Sequence, residues 1–118
     1  MTSLNKSIFV YPMKTEERIK KLVSDNPVML FMKGEPQTPQ CGFSDRVVRI
    51  LNHLEVQYSS FDVLSDEDIR QGIKIYGNWP TIPQLYIQGE LFGGCDIIEE
   101  GFRSGALEKE LQKVQKTN

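Results

Sequence analysis

Cysteine is nearly absent from this chain: Cys41 and Cys95 are the only two in 118 residues. Two are too few for the disulfide framework of a small secreted domain, so a packed core and a reducing, aqueous compartment are expected. Long apolar runs are missing as well, and none approaches the ~20 residues of a transmembrane helix. Charge of one sign is not in excess: 14 Lys and Arg stand against 16 Asp and Glu, a formal net charge of -2. That balance gives no bulk signal for nucleic acid or for an anionic membrane, and partners are expected among proteins and small molecules. The single histidine, His53, falls off the apolar stripe of its helix and reads as a surface residue rather than a base or metal ligand. There is no internal repeat and no low-complexity tract, and the length suits one domain around one core. Residues 1–14 contain a short Ile8-Phe9-Val10-Tyr11 run but no arginine and no convincing signal core. They are expected to be a tail or the remnant of a targeting segment, with the folded domain over 15–114 and a frayed end over 115–118.

What is present is a succession of changing periodicities. Thr15 is the expected N-cap of an amphipathic helix with Glu16 and Glu17 in its first turn and Ile19, Leu22 and Val23 on one face, ending near Asp25-Asn26-Pro27. Val28-Met29-Leu30-Phe31-Met32 reads as a buried strand, Lys33 to Gln40 as a loop stiffened by two prolines, and Val47, Val48, Leu51 and Leu54 as a helical stripe. Gln57 to Val63 forms a second strand, so strand, helix, strand implies a right-handed parallel pair. Ser65-Asp66-Glu67-Asp68 has the spacing of a capping box and opens a helix through Ile69, Ile73 and Ile75 to Gly77. Gln84 to Gln88 alternates apolar with polar, Gly89-Glu90 suits a two-residue type II' turn, and Leu91-Phe92 returns as a hairpin. A last helical stretch carries Ile97, Ile98, Phe102, Leu107, Leu111 and Val114, interrupted around Ser104-Gly105. The expected fold is α/β, a four-stranded mixed sheet flanked by helices in the thioredoxin-like arrangement.

Cys41-Gly42-Phe43-Ser44 falls where the first apolar strand has ended and a helix begins, beyond the carboxyl end of the strand, where α/β sheets bind ligands. The thiolate is the reactive and metal-binding form of cysteine, and a helix N-terminus or a nearby cation favours it. Ser44 stands where a Cys-x-x-Cys pair would have its second thiol, and a hydroxyl is far too weak an acid to resolve a mixed disulfide. Any second thiol must come from elsewhere. A buried, inert Cys41 is the competing reading, but the polar loop and Gly42 favour an accessible thiol.

Four separated motifs then point one way: Met32-Lys33-Gly34-Glu35-Pro36, Cys41-Gly42-Phe43-Ser44, Trp79-Pro80-Thr81-Ile82-Pro83-Gln84 and Gly93-Gly94-Cys95-Asp96. With them the chain resembles a single-domain monothiol glutaredoxin of the Cys-Gly-Phe-Ser type, in the thioredoxin-like superfamily, from about Thr15 to Val114. The resemblance implies a glutathione groove beside Cys41. In it Lys33 and Arg70 would pair with the glycine carboxylate, with Lys74 on the same helix face as Arg70. Pro83 matches the family's cis-proline, which frees the backbone of Ile82 to bind the cysteinyl part of glutathione as an added strand would. Gly94, Cys95 and Asp96 would hold the γ-glutamyl end at a helix start. Trp79 reads as a packing residue under the loop.

Two functions follow from that resemblance. The first is binding and transfer of a 2Fe-2S cluster in iron-sulfur protein biogenesis. Such a cluster takes four thiolates, and the family solution bridges two chains through Cys41 of each and two glutathione molecules. This implies a homodimer with cluster and a monomer without it, with apo iron-sulfur proteins and cluster scaffold proteins as partners and no role for nucleic acid or membrane. The second is glutathione-dependent thiol-disulfide exchange by Cys41, an enzyme activity that is weak at most where the resembling family carries this long loop before the site. Carrier ranks above reductase. A Cys41 to Cys95 disulfide, or cluster ligation by both thiols, stays open. The setting expected from the resemblance is mitochondrial, or cytoplasmic in a prokaryote or without a targeting segment.

Overall fold

The computed structural model describes residues 14–115. The expected tail over 1–14 and frayed end over 115–118 concern residues that, Lys14 and Gln115 apart, lie outside the described residues. The element order is α1 (Thr15–Asp25), β1 (Val28–Met32), β2 (Gly34–Glu35), β3 (Thr38–Pro39), α2 (Gly42–His53), β4 (Ser59–Asp62), a 3-10 turn (Val63–Ser65), α3 (Glu67–Tyr76), β5 (Gln84–Ile87), β6 (Glu90–Gly93), α4 (Cys95–Ser104) and α5 (Ala106–Gln115). The main sheet has the order β4-β1-β5-β6, with β1 parallel to β4 and antiparallel to β5. This is the thioredoxin-like, four-stranded mixed sheet flanked by helices.

Why β1 is apolar throughout follows from its place. All five of its residues are buried, because helices cover both faces of the sheet. Val28, Leu30 and Met32 pack with Val47, Val48 and Leu51 of α2, Ile98 of α4 and Leu107 and Leu111 of α5. Met29 and Phe31 point the other way, to Ile19 and Val23 of α1 and Ile69 and Ile73 of α3. The alternation of a strand thus divides one apolar run between two cores.

Several elements differ in detail from the sequence reading. Thr15 is the first helical residue of α1 and Lys14 holds the N-cap position, its N–H donating to Glu17 Oε1 at 3.1 Å. The cap of α3 is Asp66, whose carboxylate accepts the Ile69 N–H at 3.1 Å and takes Arg18 of α1 at 2.7 Å. Ser65 instead donates to the Asp62 carbonyl at 2.7 Å. A carboxylate that caps and also ties two helices displaces a hydroxyl that can only cap. Ile75 is 81% exposed, since two positions beyond Ile73 a helix has turned to its opposite face. The second strand is Ser59–Asp62, shorter than expected, with Val63 buried in the 3-10 turn. The hairpin turn is Gln88-Gly89, both with positive φ (52° and 84°), the pattern of type I' rather than II'. The loop before Cys41 holds a miniature hairpin, β2 with β3. β5 is buried at every residue rather than on alternate ones, being an inner strand with both faces covered.

Candidate functional site

Cys41 occupies the N-cap of α2 with extended backbone (φ -156°, ψ 134°), so its sulfur lies at the end of a helix whose first N–H groups lack internal partners. The preceding segment is fixed from both sides. The Asp62 carboxylate accepts the Gly34 N–H at 2.8 Å and the Leu64 N–H at 2.9 Å, and the Gln40 N–H donates to the Lys33 carbonyl at 2.9 Å. Gly34 has φ +90°, and a Cβ there would sit 2.7 Å from both the Gln40 nitrogen and the Thr38 oxygen. Only glycine makes that turn.

Ser44 is fully buried and accepts the Lys33 N–H at 3.1 Å, tying the end of β1 to the first turn of α2. For the Cys41 thiol, partial burial acts upward. The N–H groups of Ser44 and Phe43, the Lys33 charge and the Ser44 hydroxyl outweigh it and hold the thiol below its ordinary range. Cys95, the first residue of α4, is buried at 9% exposure and not bonded to Cys41. Burial and then the Glu99 carboxylate push its thiol up, with Asp96 adding to them and Arg46 opposing. Two thiols in one place are thus set in opposite directions.

Both line a cavity of about 450 Å³, within the range of small-molecule sites. Lys33, Cys41 and Phe43 form one side, Lys74 and Trp79 to Pro83 another, and Gly94, Cys95 and Asp96 the start of α4. Of the residues singled out from sequence, Lys33, Cys41, Ile82, Pro83, Cys95 and Asp96 come together here. Arg70 does not line the cavity. Its guanidinium lies one turn behind Lys74, 3.9 Å from Glu67, with Nε buried and without a hydrogen-bond acceptor among the described residues. Lys74, on the same helix face four residues on, is the one at the wall. Trp79 is both packing residue and wall: a Cβ at Gly94 would meet its Nε1 at 2.7 Å. His53 is exposed and rests edge-on against Phe102.

Gln84 is a residue whose part in the site the sequence reading missed. It is fully buried, and its Nε2 donates to the Trp79 carbonyl at 3.0 Å and the Thr81 carbonyl at 3.1 Å. Its Oε1 accepts the Tyr86 hydroxyl at 2.8 Å. Burial, and then the neighbouring Tyr76, push the Tyr86 hydroxyl up, so it stays a donor. The network shapes the loop that presents Ile82 and the cis Ile82-Pro83 bond to the cavity. The available signal was a polar residue directly after Pro83 in a strand that must cross the core.

The glutaredoxin family profile matches residues 28–92. Glutaredoxin 3 of Danio rerio is 57% identical over 98 residues, 83% of this chain, and the chain spans 30% of that longer protein. The ycf64-like monothiol glutaredoxin of Synechocystis is 54% identical over 99 residues, covering 84% of this chain and 92% of its own length. Among solved structures, reduced apo GrxS14 of poplar superposes with TM-score 0.75 at 48% identity, covering 85% of this chain and 92% of that one. A buckwheat glutaredoxin solved as a glutathione complex gives TM-score 0.75 at 26% identity over 84% of this chain and 88% of its own. By sequence and by fold, this chain belongs to the glutaredoxin family, with monothiol glutaredoxins among its relatives.

Proposed function

We propose that the Cys41 cavity binds glutathione and that two such chains hold a 2Fe-2S cluster between them and pass it to apo proteins. The observation that carries this reading is one accessible, acidified thiol in a cavity lined by Lys33 and Lys74 and closed by a helix N-terminus with Asp96. Glutathione has a carboxylate at each end, an ammonium at one and a thiol between them. Lys33 and Lys74 suit the glycine carboxylate, with Arg70 behind them holding a free donor. The Ile82 backbone suits the cysteinyl unit. The N–H groups at the start of α4 suit the γ-glutamyl carboxylate, and Asp96 its ammonium. That a buckwheat glutaredoxin of the same fold was solved with glutathione supports glutathione as the ligand.

The cluster is cargo, and its ligand demand selects the assembly. Four thiolates are needed and each chain offers Cys41, so two chains and two glutathione sulfurs complete the set. Holo protein is then a homodimer and apo protein a monomer. Ligands that are not covalently attached make the cluster transferable to apo iron-sulfur proteins and from cluster scaffold proteins. The setting we favour is mitochondrial, or cytoplasmic in a prokaryote or without a targeting segment.

The acidified thiol also favours a second reading, glutathione-dependent exchange. The Cys41 thiolate attacks the glutathione sulfur of a mixed disulfide, a new S–S bond forms, and the client thiolate leaves and takes a proton from water. A second glutathione thiolate then attacks that bond, releasing glutathione disulfide and restoring the Cys41 thiolate.

Reconstitution with iron, sulfide and glutathione, followed by visible absorption and oligomeric mass, tests the first reading. Wild type and Cys95→Ser form a coloured dimer and Cys41→Ser does not. A wild type that stays colourless, or a Cys41→Ser chain that still forms the dimer, overturns it. Brisk turnover of a small glutathione mixed disulfide would place the second reading first.

A further inference from the structure

Arg46 and Glu99 lie 53 positions apart, yet Arg46 Nη1 donates to Glu99 Oε2 at 3.3 Å. The same guanidinium stands over the Phe43 ring, 5.2 Å from its centroid, within cation-π range. The pair therefore joins α2 and α4 one turn in from their N-terminal ends, next to Phe43 and Cys95, which line the cavity. The sulfur of Cys95 and carboxylate oxygens of Asp96 and Glu99 all lie within 4.8 Å of one another, so the guanidinium held by Glu99 stands beside the Cys95 sulfur and its charge draws that thiol down against burial. Arginine keeps its charge at every accessible pH, so the open variable is which neighbour receives it.

We propose that Arg46 and Glu99 are positioning residues for Cys95: sulfur and carboxylate share one guanidinium, and Glu99, by holding most of it, leaves the cavity a single reactive sulfur at Cys41. The charged and titratable groups facing Cys95 are Asp96 and Glu99 from α4, Arg46 from α2, and Lys33, Cys41 and Lys74 around the cavity. Of these, Arg46 is the cation that acts on the Cys95 sulfur, and it is the one engaged by a carboxylate. With glutamine in place of Glu99 the guanidinium turns to the sulfur and a second thiolate is favoured beside the first. The fold would then offer two nucleophiles or two ligands where the monothiol chemistry uses one. The inference goes beyond the glutathione and cluster reading, and its test needs neither glutathione nor iron.

That test is alkylation of the full chain by iodoacetamide across pH ~6 to 10, with each cysteine read separately by peptide mass. In Glu99→Gln the Cys95 rate near neutral pH rises about threefold and its pH profile moves down. In Arg46→Leu the rate falls about threefold and the profile moves up. Arg46→Lys restores part of the loss, and Cys41 is unchanged in all three chains. The opposite signs separate this account from simple loosening of the contact between α2 and α4. If both variants move Cys95 in the same direction, or neither moves it, the proposal is wrong.

Discussion

The hydroxyl of Ser44 serves two partners, accepting the Lys33 N–H at 3.1 Å and favouring the Cys41 thiolate. Removing it has two separable consequences. In Ser44→Ala the partly buried Lys33 N–H loses its acceptor, which costs about 1 kcal/mol. Thermal unfolding with calorimetric enthalpy measures that loss. The Cys41 thiol also rises toward its ordinary value, so alkylation of Cys41 near neutral pH slows. The pH dependence has a fixed sign. A thiol whose folded value lies below its unfolded value stabilises the fold fully above the unfolded value, and the contribution is lost as pH falls through the folded value. Wild type therefore gains stability relative to Cys41→Ser as pH rises through the thiol range, and a flat difference between the two would contradict the assignment.

At the scale of elements, the loop from Trp79 to Pro83 is held by Gln84 and Tyr86 beneath it and by Gly94 beside it. Gly77→Ala would press a methyl into the Tyr86 hydroxyl and, at 2.8 Å, the Gln84 amide oxygen, costing about 1–3 kcal/mol by overpacking. Gly94→Ala displaces the indole of Trp79, the only tryptophan in the chain. Glutathione titration followed by Trp79 fluorescence is then expected to give a saturable change in wild type and a clearly weaker one in Gly94→Ala.

How much of this could be read beforehand depended on range. β1 announced itself as an unbroken apolar run bounded by turn residues, α2 through its helical stripe, and the β5-β6 hairpin through the Gly89 turn between two apolar segments. β2 and β3, two residues each, are too short for any alternation, and Ile75 misled because apolar identity carries no helical phase. The register of the hairpin turn was set by strand pairing rather than by Gly89 alone. Arg70 and Lys74 share one helix face, so spacing could not say which turn reaches the cavity. The pair formed by Arg46 and Glu99 leaves no local trace at all.

At the scale of the whole molecule, two cores on opposite faces hold the sheet rigid, and the chemistry is gathered at the end of the sheet where β1 gives way to α2. Among the described residues no helix is long and apolar enough to cross a membrane. The molecule offers one acidified thiol where the cluster reading requires four thiolates, so the missing three must come from outside the chain. Native mass spectrometry of the reconstituted protein counts them directly. The account predicts one species of two chains, one 2Fe-2S cluster and two glutathione molecules, which splits into single chains when the cluster is removed. A cluster carried by one chain, or by two chains without the mass of glutathione, would contradict it.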